Sequence, residues 1–283
     1  MRLLIIGCGY LGRRVASLAK DEGHIVHAVT RKESHAAEFR SQGWQPVIAD
    51  VLKPESLANL PQVDVVVHAV GLDRRSGASM REVYVGGMAN VLKHMPKPGR
   101  FIHVSSSSVY GQSDGSWVEE TSLTEPQEES GRIVLETERT LRETIPEAIV
   151  LRFSGIYGPG RLLRRQTIEN GEPIVGDAEK WLNLIHVEDG AAAVLKAFSA
   201  PLGSTLNICD DEPATRSDFY RELARCLGKP EPRFLPPPPD QPTPPHEKGN
   251  RRIRNEAMRR ILGVELKYPN YRVGLASSWK QVY

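Results

Sequence analysis

The chain has 283 residues, and 37 Lys plus Arg against 35 Asp plus Glu give a formal net charge of +2. A balance this close to neutral argues against a nucleic-acid-binding polycation, and a hydrophobic content of 40% argues against disorder throughout. No segment approaches the roughly 18 consecutive apolar residues of a membrane span, and the N-terminus shows no signal-peptide pattern. We therefore expect a cytoplasmic protein without a membrane or nucleic-acid partner. The scattered Cys8, Cys209 and Cys226 disfavour a disulfide framework and structural zinc.

Short β-branched runs alternate with helical patterns through the first half of the chain. This alternation is typical of right-handed βαβ units and predicts an α/β fold with a doubly wound parallel sheet. The predicted strands are Arg2–Ile6, His24–Val29, Val47–Ala49, Val63–Ala69, Arg100–Val104 and Ala148–Phe153, and the predicted helices are Leu11–Glu22, Ala36–Gln42, Met80–Met95 and Ile133–Glu143.

Strict alternation ends after Tyr157, and the rest of the chain has a mixed pattern. Between Pro230 and Pro245, nine of 16 residues are proline, which predicts a polyproline-like surface loop in place of helix or sheet. We expect a nucleotide-binding domain over residues 1–155, with some strand and helix exchange beyond it, and a smaller mixed α/β part over 156–283. The further predicted elements are extended segments at Trp181–His186 and Thr205–Ile208, helices at Glu188–Phe198 and Arg216–Leu227, and an ordered segment at Ile253–Leu262.

A glycine-rich motif, G-C-G-Y-L-G, follows the first predicted strand and opens the first predicted helix. In such motifs Gly7 permits the tight turn, Gly9 lets a pyrophosphate approach the backbone, and Gly12 lets helix and strand pack closely. Free amides and the positive end of the helix dipole then hold the phosphates. The alternative is a glycine turn that serves packing alone. In this context the motif predicts a dinucleotide site in a Rossmann-type domain.

The second predicted strand runs into Thr30, Arg31 and Lys32, where a carboxylate would accept the ribose hydroxyls of NAD. A hydroxyl, a guanidinium and an ammonium suit the 2′-phosphate of NADP instead, so the sequence favours NADP(H) over NAD(H). The alternative is that Arg31 and Lys32 are solvated surface charges.

Further segments follow the glycine motif in a fixed order: Ala49–Val51, Val67–Gly71, Ser105–Gly111, Arg152–Gly160, Ile185–Gly190 and Leu206–Ile208. In this order they resemble the extended short-chain dehydrogenase/reductase family, the NAD-dependent epimerase/dehydratase group. The resemblance implies a Rossmann domain, a smaller C-terminal substrate domain and a substrate cleft between them. Together with the glycine motif, it implies the following cofactor-binding residues: Gly7, Gly9, Tyr10, Leu11, Gly12, Thr30, Arg31, Lys32, Asp50, Val51, Ala69, Val70, Gly71 and Ser105.

The catalytic pair of that family is missing from this sequence. The family couples hydride transfer to proton transfer through Tyr-x-x-x-Lys, helped by a Ser or Thr of the serine-rich turn. Here Ser130 stands at the tyrosine position and Val134 at the lysine position. Ser106 fits the remaining catalytic position, and Tyr110 is a second candidate. The alternatives are structural: Ser106 capping a turn, and Tyr110 packing its ring.

Other candidate groups are less specific. The asparagine that the family often places early in the helix before the serine-rich turn is absent, because residues 84–90 read Y-V-G-G-M-A-N. Tyr84 on this facing helix is a further candidate to replace the missing pair, although no residue does so at the motif spacing. His103 and His186 titrate near neutral pH, but both are typical of satisfied core histidines. Two arginine groups can either clamp a diphosphate or carboxylate or form solvated faces: Arg161, Arg164 and Arg165, and Arg251, Arg252 and Arg254.

These observations favour an NAD(P)-binding oxidoreductase or epimerase with non-standard catalytic residues. Its substrate would be a sugar nucleotide or a similar polar small molecule. The alternative is a non-catalytic NADP(H)-binding sensor or scaffold, because loss of the base removes proton transfer and leaves the nucleotide pocket intact. A homodimer through the predicted helices Met80–Met95 and Ile133–Glu143 is possible, although apolar helix faces more often belong to the core.

Overall fold

The computed structural model describes residues 1–236 and 248–280. Parallel strands need crossover connections, and the helical segments between the predicted strands provide them. In chain order, the described strands are Arg2–Ile6 (β1), Ile25–Thr30 (β2), Gln45–Ile48 (β3), Val65–His68 (β4), Arg100–Ser106 (β5), Trp117–Val118 (β6), Ile149–Phe153 (β7), Gly155–Tyr157 (β8), Ile174–Val175 (β9), Trp181–Leu182 (β10), Leu184–His186 (β11), Thr205–Ile208 (β12), Ala214–Thr215 (β13), Phe234–Leu235 (β14) and Arg252–Ile253 (β15).

Seven of these strands form one parallel sheet in the order β12-β7-β5-β4-β1-β2-β3. The predicted α/β, Rossmann-type doubly wound fold is therefore confirmed. The order reverses between β1 and β4, which is the switch point where open α/β sheets bind ligands. The α-helices of the described residues are Tyr10–Asp21 (α1), Glu33–Ser41 (α2), Gly87–His94 (α3), Glu129–Thr144 (α4), Arg165–Glu169 (α5), Val187–Lys196 (α6), Arg216–Cys226 (α7), Glu256–Leu262 (α8) and Tyr271–Ser278 (α9).

Helices cover both faces of the sheet, because its strands carry apolar side chains on both sides. On one face, Val15 of α1 and Val194 of α6 pack with Ile5 and Val67 of the strands. On the other face, Met88 and Val91 of α3 and Leu141 of α4 join Leu4 and Val66. A separate core holds the smaller part together and consists of Tyr157, Ile168, Ile174, Leu184, Ala214, Phe219, Tyr220, Leu223, Ala224, Tyr271 and Leu275.

Some predicted elements differ from the observed ones. The extended segment Trp181–His186 is two strands, because β10 pairs antiparallel with β13 and β11 pairs parallel with β8. Asn183 lies between them and uses its amide to donate to the Arg251 carbonyl and to accept from the Ile253 N–H. The predicted segment Ile253–Leu262 begins as strand β15 and continues as helix α8.

The helix predicted over Met80–Met95 is also not uniform. A π-helical turn at Glu82–Gly86 precedes α3. Such turns are rare inside α-helices and are frequent at functional sites. The helix predicted from Ile133 begins one turn earlier in the structure, at Glu129, so that Ser130 lies in its first turn.

The proline-rich tract contains a short strand that the sequence did not predict. Phe234–Leu235 pairs with Ile174–Val175, where the chain at 233–235 has no proline and can complete backbone hydrogen bonds. The remainder of the predicted loop, from residue 237 to 245, lies outside the described residues. The domain division at residue 155 stays a prediction, and β12 returns to the main sheet beyond it.

Two features are absent from the described residues: a helix that could cross a membrane and a cluster that could hold a metal ion. None of the helices over 1–236 and 248–280 combines the length and the apolar character that a bilayer crossing requires. In the same ranges, no set of three or more His, Cys, Asp or Glu side chains is arranged to hold a metal ion.

Candidate functional site

A cavity of about 750 Å³ opens above the carboxyl ends of the central strands, at the switch point between β1 and β4. Residues from the glycine motif, the ends of β2, β4 and β5, and helix α4 share this cavity. Gly12 and Tyr110 are the two proposed site residues outside its lining. The proposed residues that line it are Gly7, Gly9, Tyr10, Leu11, Thr30, Arg31, Lys32, Asp50, Val51, Ala69, Val70, Gly71, Ser105 and Ser106.

The glycine loop has the geometry that close ligand approach requires. Gly7 has a φ of 97°, and a Cβ there would overlap the Ala69 carbonyl. A Cβ on Gly12 would overlap the Gly7 carbonyl oxygen, so this glycine allows the helix to approach the strand. Gly9 is the N-cap of α1, and a Cβ built on it would meet no atom within 4 Å. The loop backbone is therefore open beside first-turn amides that lack intrahelical partners.

Tyr10 joins the glycine loop to the segment after β8. Its hydroxyl donates to the Pro159 carbonyl at 2.9 Å. Its ring lies under two guanidinium groups, with Arg14 at 4.2 Å and Arg161 at 5.4 Å from the ring centroid. Because Arg161 also lines the cavity, this stack places positive charge beside the open backbone of the loop.

Charged residues lie at the rim near the end of β2. Arg31 donates to Asp73 at 2.9 Å, and this hydrogen bond is the main reason why the pKa of the Asp73 carboxyl lies below its ordinary value. Both side chains are 44% exposed, so the pair is solvated and can exchange partners at low cost. The Thr30 hydroxyl accepts from the Lys32 N–H at 3.2 Å and fixes the turn that presents both cations.

A buried polar network supports the serine-rich turn. Ser105 donates to Glu138 at 2.5 Å, and Glu138 receives two hydrogen bonds from Arg152, at 3.1 and 2.9 Å. Arg152 also donates to the Tyr110 hydroxyl at 3.1 Å, and this hydroxyl donates to Asn207 at 2.7 Å. The network connects β5, α4, β7 and β12, so it fixes the strand end from which Ser105 reaches the cavity.

The structure gives no geometric support to a catalytic role for Tyr110. Its side chain is 1% exposed, and burial raises the pKa of its phenol. The hydroxyl is fully engaged by Arg152 and Asn207. The observed geometry fits the alternative interpretation of Tyr110, in which the ring packs and the hydroxyl tethers the turn.

Ser106 combines both roles that the sequence left open for it. Its hydroxyl accepts from the Ser108 N–H at 3.2 Å and caps a short 3₁₀ turn, Ser107–Val109. The residue also lines the cavity at the end of β5. Its place in the reaction stays a prediction.

The two positions that depart from the family's catalytic pair have different environments. Ser130 is exposed in the first turn of α4. Val134, one turn later, is 6% exposed and lines the cavity. An aliphatic side chain therefore faces the cavity where the family resemblance implies an ammonium.

Two buried histidines, which the sequence did not connect, meet below the cavity. His68 and His103 both line it, and their Nδ1 atoms are 3.3 Å apart. Burial lowers the pKa of His103 to about 4 and that of His68 well below its ordinary value. His186 is not at the cavity: it hydrogen-bonds to Ser278 at 3.1 Å and caps α6. The parallel register of β4 and β5 pairs His68 with His103, which a single sequence does not specify.

A variant without His103 is expected to lose less stability than the wild type when the pH is lowered. Because its folded pKa, about 4, lies below the unfolded value near 6.5, the unfolded chain binds more protons between these pH values. Stability therefore falls as pH drops from about 6.5 to about 4, by roughly 2 kcal/mol at pH 5 for one such group.

Urea unfolding of His103→Gln and of the wild type at pH 7.5 and pH 5 measures this effect. The variant should lose less stability on acidification than the wild type. Burial raises the pKa of Asp189 and Asp210, which opposes the histidine effect equally in both proteins. Equal losses would contradict the assignment.

The two arginine groups do not converge as one clamp. Arg161 lines the cavity, whereas Arg165 pairs with Glu169. Arg251 donates to the Ser107 carbonyl at 2.9 Å and so reaches the serine-rich turn. One arginine of each group, Arg161 and Arg251, is therefore placed near the cavity or its supporting turn.

The remaining arginines of the second group lie elsewhere. Arg252 lies between Trp117 and Trp181, about 5 Å from each ring centroid. Arg254 pairs with Glu256.

Comparisons with known proteins show which proteins this chain is similar to. Protein YeeZ of Escherichia coli (strain K12) is 30% identical over 244 residues, which cover 82% of this chain and 86% of that protein. A 3-diazoavenalumate denitrifying reductase of Streptomyces sp is 26% identical over 261 residues, covering 83% and 84%. The structure of UDP-glucuronic acid 4-epimerase from Bacillus cereus, in complex with UDP-glucuronic acid and NAD, is similar in fold, with a TM-score of 0.78 at 21% identity over 99% of this chain and 98% of that chain.

The family comparison covers most of the chain. The profile of the NAD-dependent epimerase/dehydratase family matches residues 3–209, a range that begins in β1 and ends just after β12, the last strand of the main sheet. The glycine motif, the ends of the parallel strands and the serine-rich turn all lie within it. By this match and by its fold, the chain belongs to the NAD-dependent epimerase/dehydratase family.

Proposed function

We propose that this chain is an NADP(H)-dependent oxidoreductase or epimerase that acts on a sugar nucleotide or a similar polar metabolite. One observation carries the proposal: a single cavity joins the open glycine loop, the Arg31 and Lys32 cations and the Ser106 hydroxyl. The cavity volume of about 750 Å³ lies within the range typical of cofactor and substrate sites.

The chain's own residues fit a dinucleotide in this cavity. Gly9 leaves backbone open beside the N-terminus of α1, and no acidic residue occupies the first turn of that helix. These features suit a diphosphate. Thr30, Arg31 and Lys32 would hold the adenosine ribose and its 2′-phosphate. A bound nicotinamide cofactor would supply hydride transfer.

The substrate class follows from charge near the cavity. Arg161 lines the cavity, and Arg251 reaches the carbonyl of Ser107. Such guanidinium groups favour a diphosphate or carboxylate on the substrate. The Bacillus cereus epimerase binds UDP-glucuronic acid, a ligand of this kind. Ser106 would polarise a substrate hydroxyl or carbonyl by donating its hydroxyl proton in a hydrogen bond.

A non-catalytic NADP(H)-binding sensor or scaffold is the second candidate. The observation that favours it is Val134, an aliphatic side chain in the cavity wall. Binding of NADPH without turnover of any nucleotide sugar or related carbonyl compound would support the sensor. Oxidation or reduction of the bound cofactor by one member of such a panel would support the enzyme.

Replacing Arg31 by Ala is expected to weaken NADPH binding about tenfold and to leave NADH binding within about twofold. A charge-assisted hydrogen bond to the 2′-phosphate contributes about 1.5–3 kcal/mol, and NADH lacks this group. Asp73→Asn should tighten NADPH binding, because the Asp73 carboxylate that competes with the 2′-phosphate for Arg31 is removed. Calorimetric titration with both reduced cofactors measures these changes.

Arg40→Ala is the matched control for Arg31→Ala, because Arg40 is an exposed arginine ion-paired with Glu33 and lies outside the cavity lining. It should bind both cofactors as the wild type does. Tighter binding of NADH than of NADPH by the wild type would contradict the preference.

We also propose a cytoplasmic location and a homodimer that forms through α3 and α4. The large hydrophobic residues that are exposed in the described ranges lie outside these two helices. The outer faces carry exposed Lys93, Arg132, Arg139 and Glu143. A dimer through this surface would depend on ionic contacts, so sedimentation velocity at low and high salt tests it.

A further inference from the structure

Tyr84 lies in the wall of the same cavity. It belongs to the π-helical turn Glu82–Gly86 that precedes α3. Its ring packs against the cluster that includes Val134 of α4 and Val109 of the serine-rich turn. Its hydroxyl accepts the Leu72 N–H from the loop after β4 at 3.4 Å. Tyr84 therefore brings a phenol into the part of the cavity shared by β4, β5 and α4.

The hydroxyl proton of Tyr84 is available. Within residues 1–236 and 248–280, the one hydrogen bond recorded for this hydroxyl is the one that it accepts from Leu72. At 3.4 Å that bond is long, so the hydroxyl can reorient toward a ligand at small cost. Tyr84 therefore lines the cavity from within a π-helical turn, a feature that is frequent at functional sites.

Several other polar groups of the cavity already have hydrogen-bond partners, and Ser154 Oγ and His68 Nε2, which lack a partner in the described residues, are buried. Tyr10 donates to Pro159, and Ser105 donates to Glu138. His68 and His103 are buried in the cavity wall and contact each other through Nδ1. Ser106 caps the turn that follows it and, as an aliphatic alcohol, is a weaker acid than a phenol. Tyr84 is the cavity phenol that remains free to donate.

We propose that Tyr84 is the proton donor and acceptor of the reaction in this chain, an inference that rests on the proposed oxidoreductase or epimerase function. In the reducing direction, a bound reduced nicotinamide would supply hydride to the carbonyl carbon as the C=O π bond breaks. The oxygen takes the proton of the Tyr84 hydroxyl, and the resulting phenolate recovers a proton from solvent. In the oxidising direction the same phenol oxygen accepts the proton of the substrate alcohol.

Tyr84 thereby takes over the role left open by Ser130 and Val134. Its ring approaches from the helix before β5, whereas Val134 lies on the helix after it. The apolar Val134 side chain packs in the same cluster as the Tyr84 ring and leaves room for it. Besides the tyrosines, the titratable and charged residues that line the same cavity are Cys8, Arg31, Lys32, His35, Asp50, His68, Asp73, His103 and Arg161.

Covalent labelling tests the position of this phenol. The probe is an NADP analogue that carries a benzenesulfonyl fluoride in place of the nicotinamide ring. The phenol oxygen attacks sulfur, a sulfonate ester forms, and fluoride leaves with the phenol proton. Mass spectrometry of the wild-type protein should place the label on Tyr84, with NADPH preventing the reaction. Tyr84→Phe should bind the probe and remain unlabelled.

The outcomes separate this inference from the proposed function. Labelling of Ser106, His103 or another residue, with the probe displaced by NADPH, would overturn the role of Tyr84 and leave the cofactor site standing. If calorimetry detects binding of neither NADPH nor the probe, the proposed function fails, and the inference fails with it. Tyr271→Phe is the matched control, because that tyrosine lies in the core of the smaller part and its loss should not change the labelling.

Turnover provides a second readout that a purely structural role would not move in the same way. With an ortho-quinone as the carbonyl probe, kcat for NADPH oxidation by Tyr84→Phe should fall about 100-fold, the lower range of general-acid effects. The NADPH dissociation constant should stay within about twofold of the wild type. Unchanged kcat would overturn the proposal. If the wild type does not turn over the quinone, the labelling result alone decides.

Discussion

Gly9→Asp is expected to reduce NADPH and NADH affinity at least about 100-fold while the protein stays folded. Gly9 is the N-cap of α1 with a φ of −94°, and Asp is among the residues favoured at that position. A Cβ built on Gly9 meets no protein atom within 4 Å, so the side chain can enter the cavity. There the carboxylate would stand where the proposed diphosphate binds. Two unit charges 4 Å apart repel by about 4 kcal/mol at an effective dielectric constant of 20.

Gly9→Asn separates charge from size. Its side chain has the same shape and is an equally good N-cap, so its loss of affinity should be clearly smaller than that of Gly9→Asp. Gly7→Ala, in contrast, should lower the stability of the fold by more than about 1 kcal/mol. The backbone φ of Gly7 is 97°, and the added methyl group would overlap the Ala69 carbonyl. Isothermal calorimetry and thermal unfolding of the three variants measure both effects. If Gly9→Asp bound NADPH and NADH as tightly as the wild type does, this result would contradict the proposed position of the cofactor.

Glu138→Gln is expected to cost about 3–5 kcal/mol of unfolding free energy. Glu138 and Arg152 are a buried pair, with side chains 8% and 9% exposed. The variant leaves the Arg152 guanidinium buried without its counter-charge. Hydrogen bonds from Ser105 and Arg152 both converge on this carboxylate, so the end of β5 should also become less ordered. Urea unfolding at neutral pH measures the loss.

Glu136→Gln is the matched control for Glu138→Gln on the same helix. Glu136 pairs with Arg81 at the surface, where the two side chains are 36% and 61% exposed. Its loss should cost less than about 1 kcal/mol. The double variant Glu138→Gln/Arg152→Met should recover part of the loss, because it removes the unpaired buried charge. Equal destabilisation by the two single variants would contradict a special role for the buried pair.

Local sequence patterns were sufficient to predict the parallel sheet and the residues that meet at the carboxyl ends of its strands. The glycine motif, Thr30 to Lys32 and Ala69 to Gly71 each follow a strand, and parallel topology brings strand ends together. The fold and the family were therefore predictable from the sequence. The cofactor preference and the catalytic residues remain predictions.

Features that depend on distant partners were not predictable. Tyr110 looked like a catalytic candidate because its partner Asn207 is 97 positions away and no local pattern connects them. Tyr84 could be named from the sequence only as one of several candidates on a helix facing the serine-rich turn, because the π-helical turn that contains it and its place in the cavity wall are not visible in the sequence. The split of Trp181–His186 depends on Asn183 binding backbone groups about 70 residues later.

The amide of Asn183 and the carboxylate of Asp189 both hold backbone from the end of the chain. Asn183 binds the carbonyl of Arg251 and the N–H of Ile253, and Asp189 accepts from the N–H groups of Lys267 and Tyr268. During translation, the parallel sheet can therefore assemble on the ribosome before the backbone partners of Asn183 and Asp189 have been synthesised. Arg251 can reach Ser107 only after residue 251 has been synthesised, so products truncated before this residue should lack this support for the serine-rich turn.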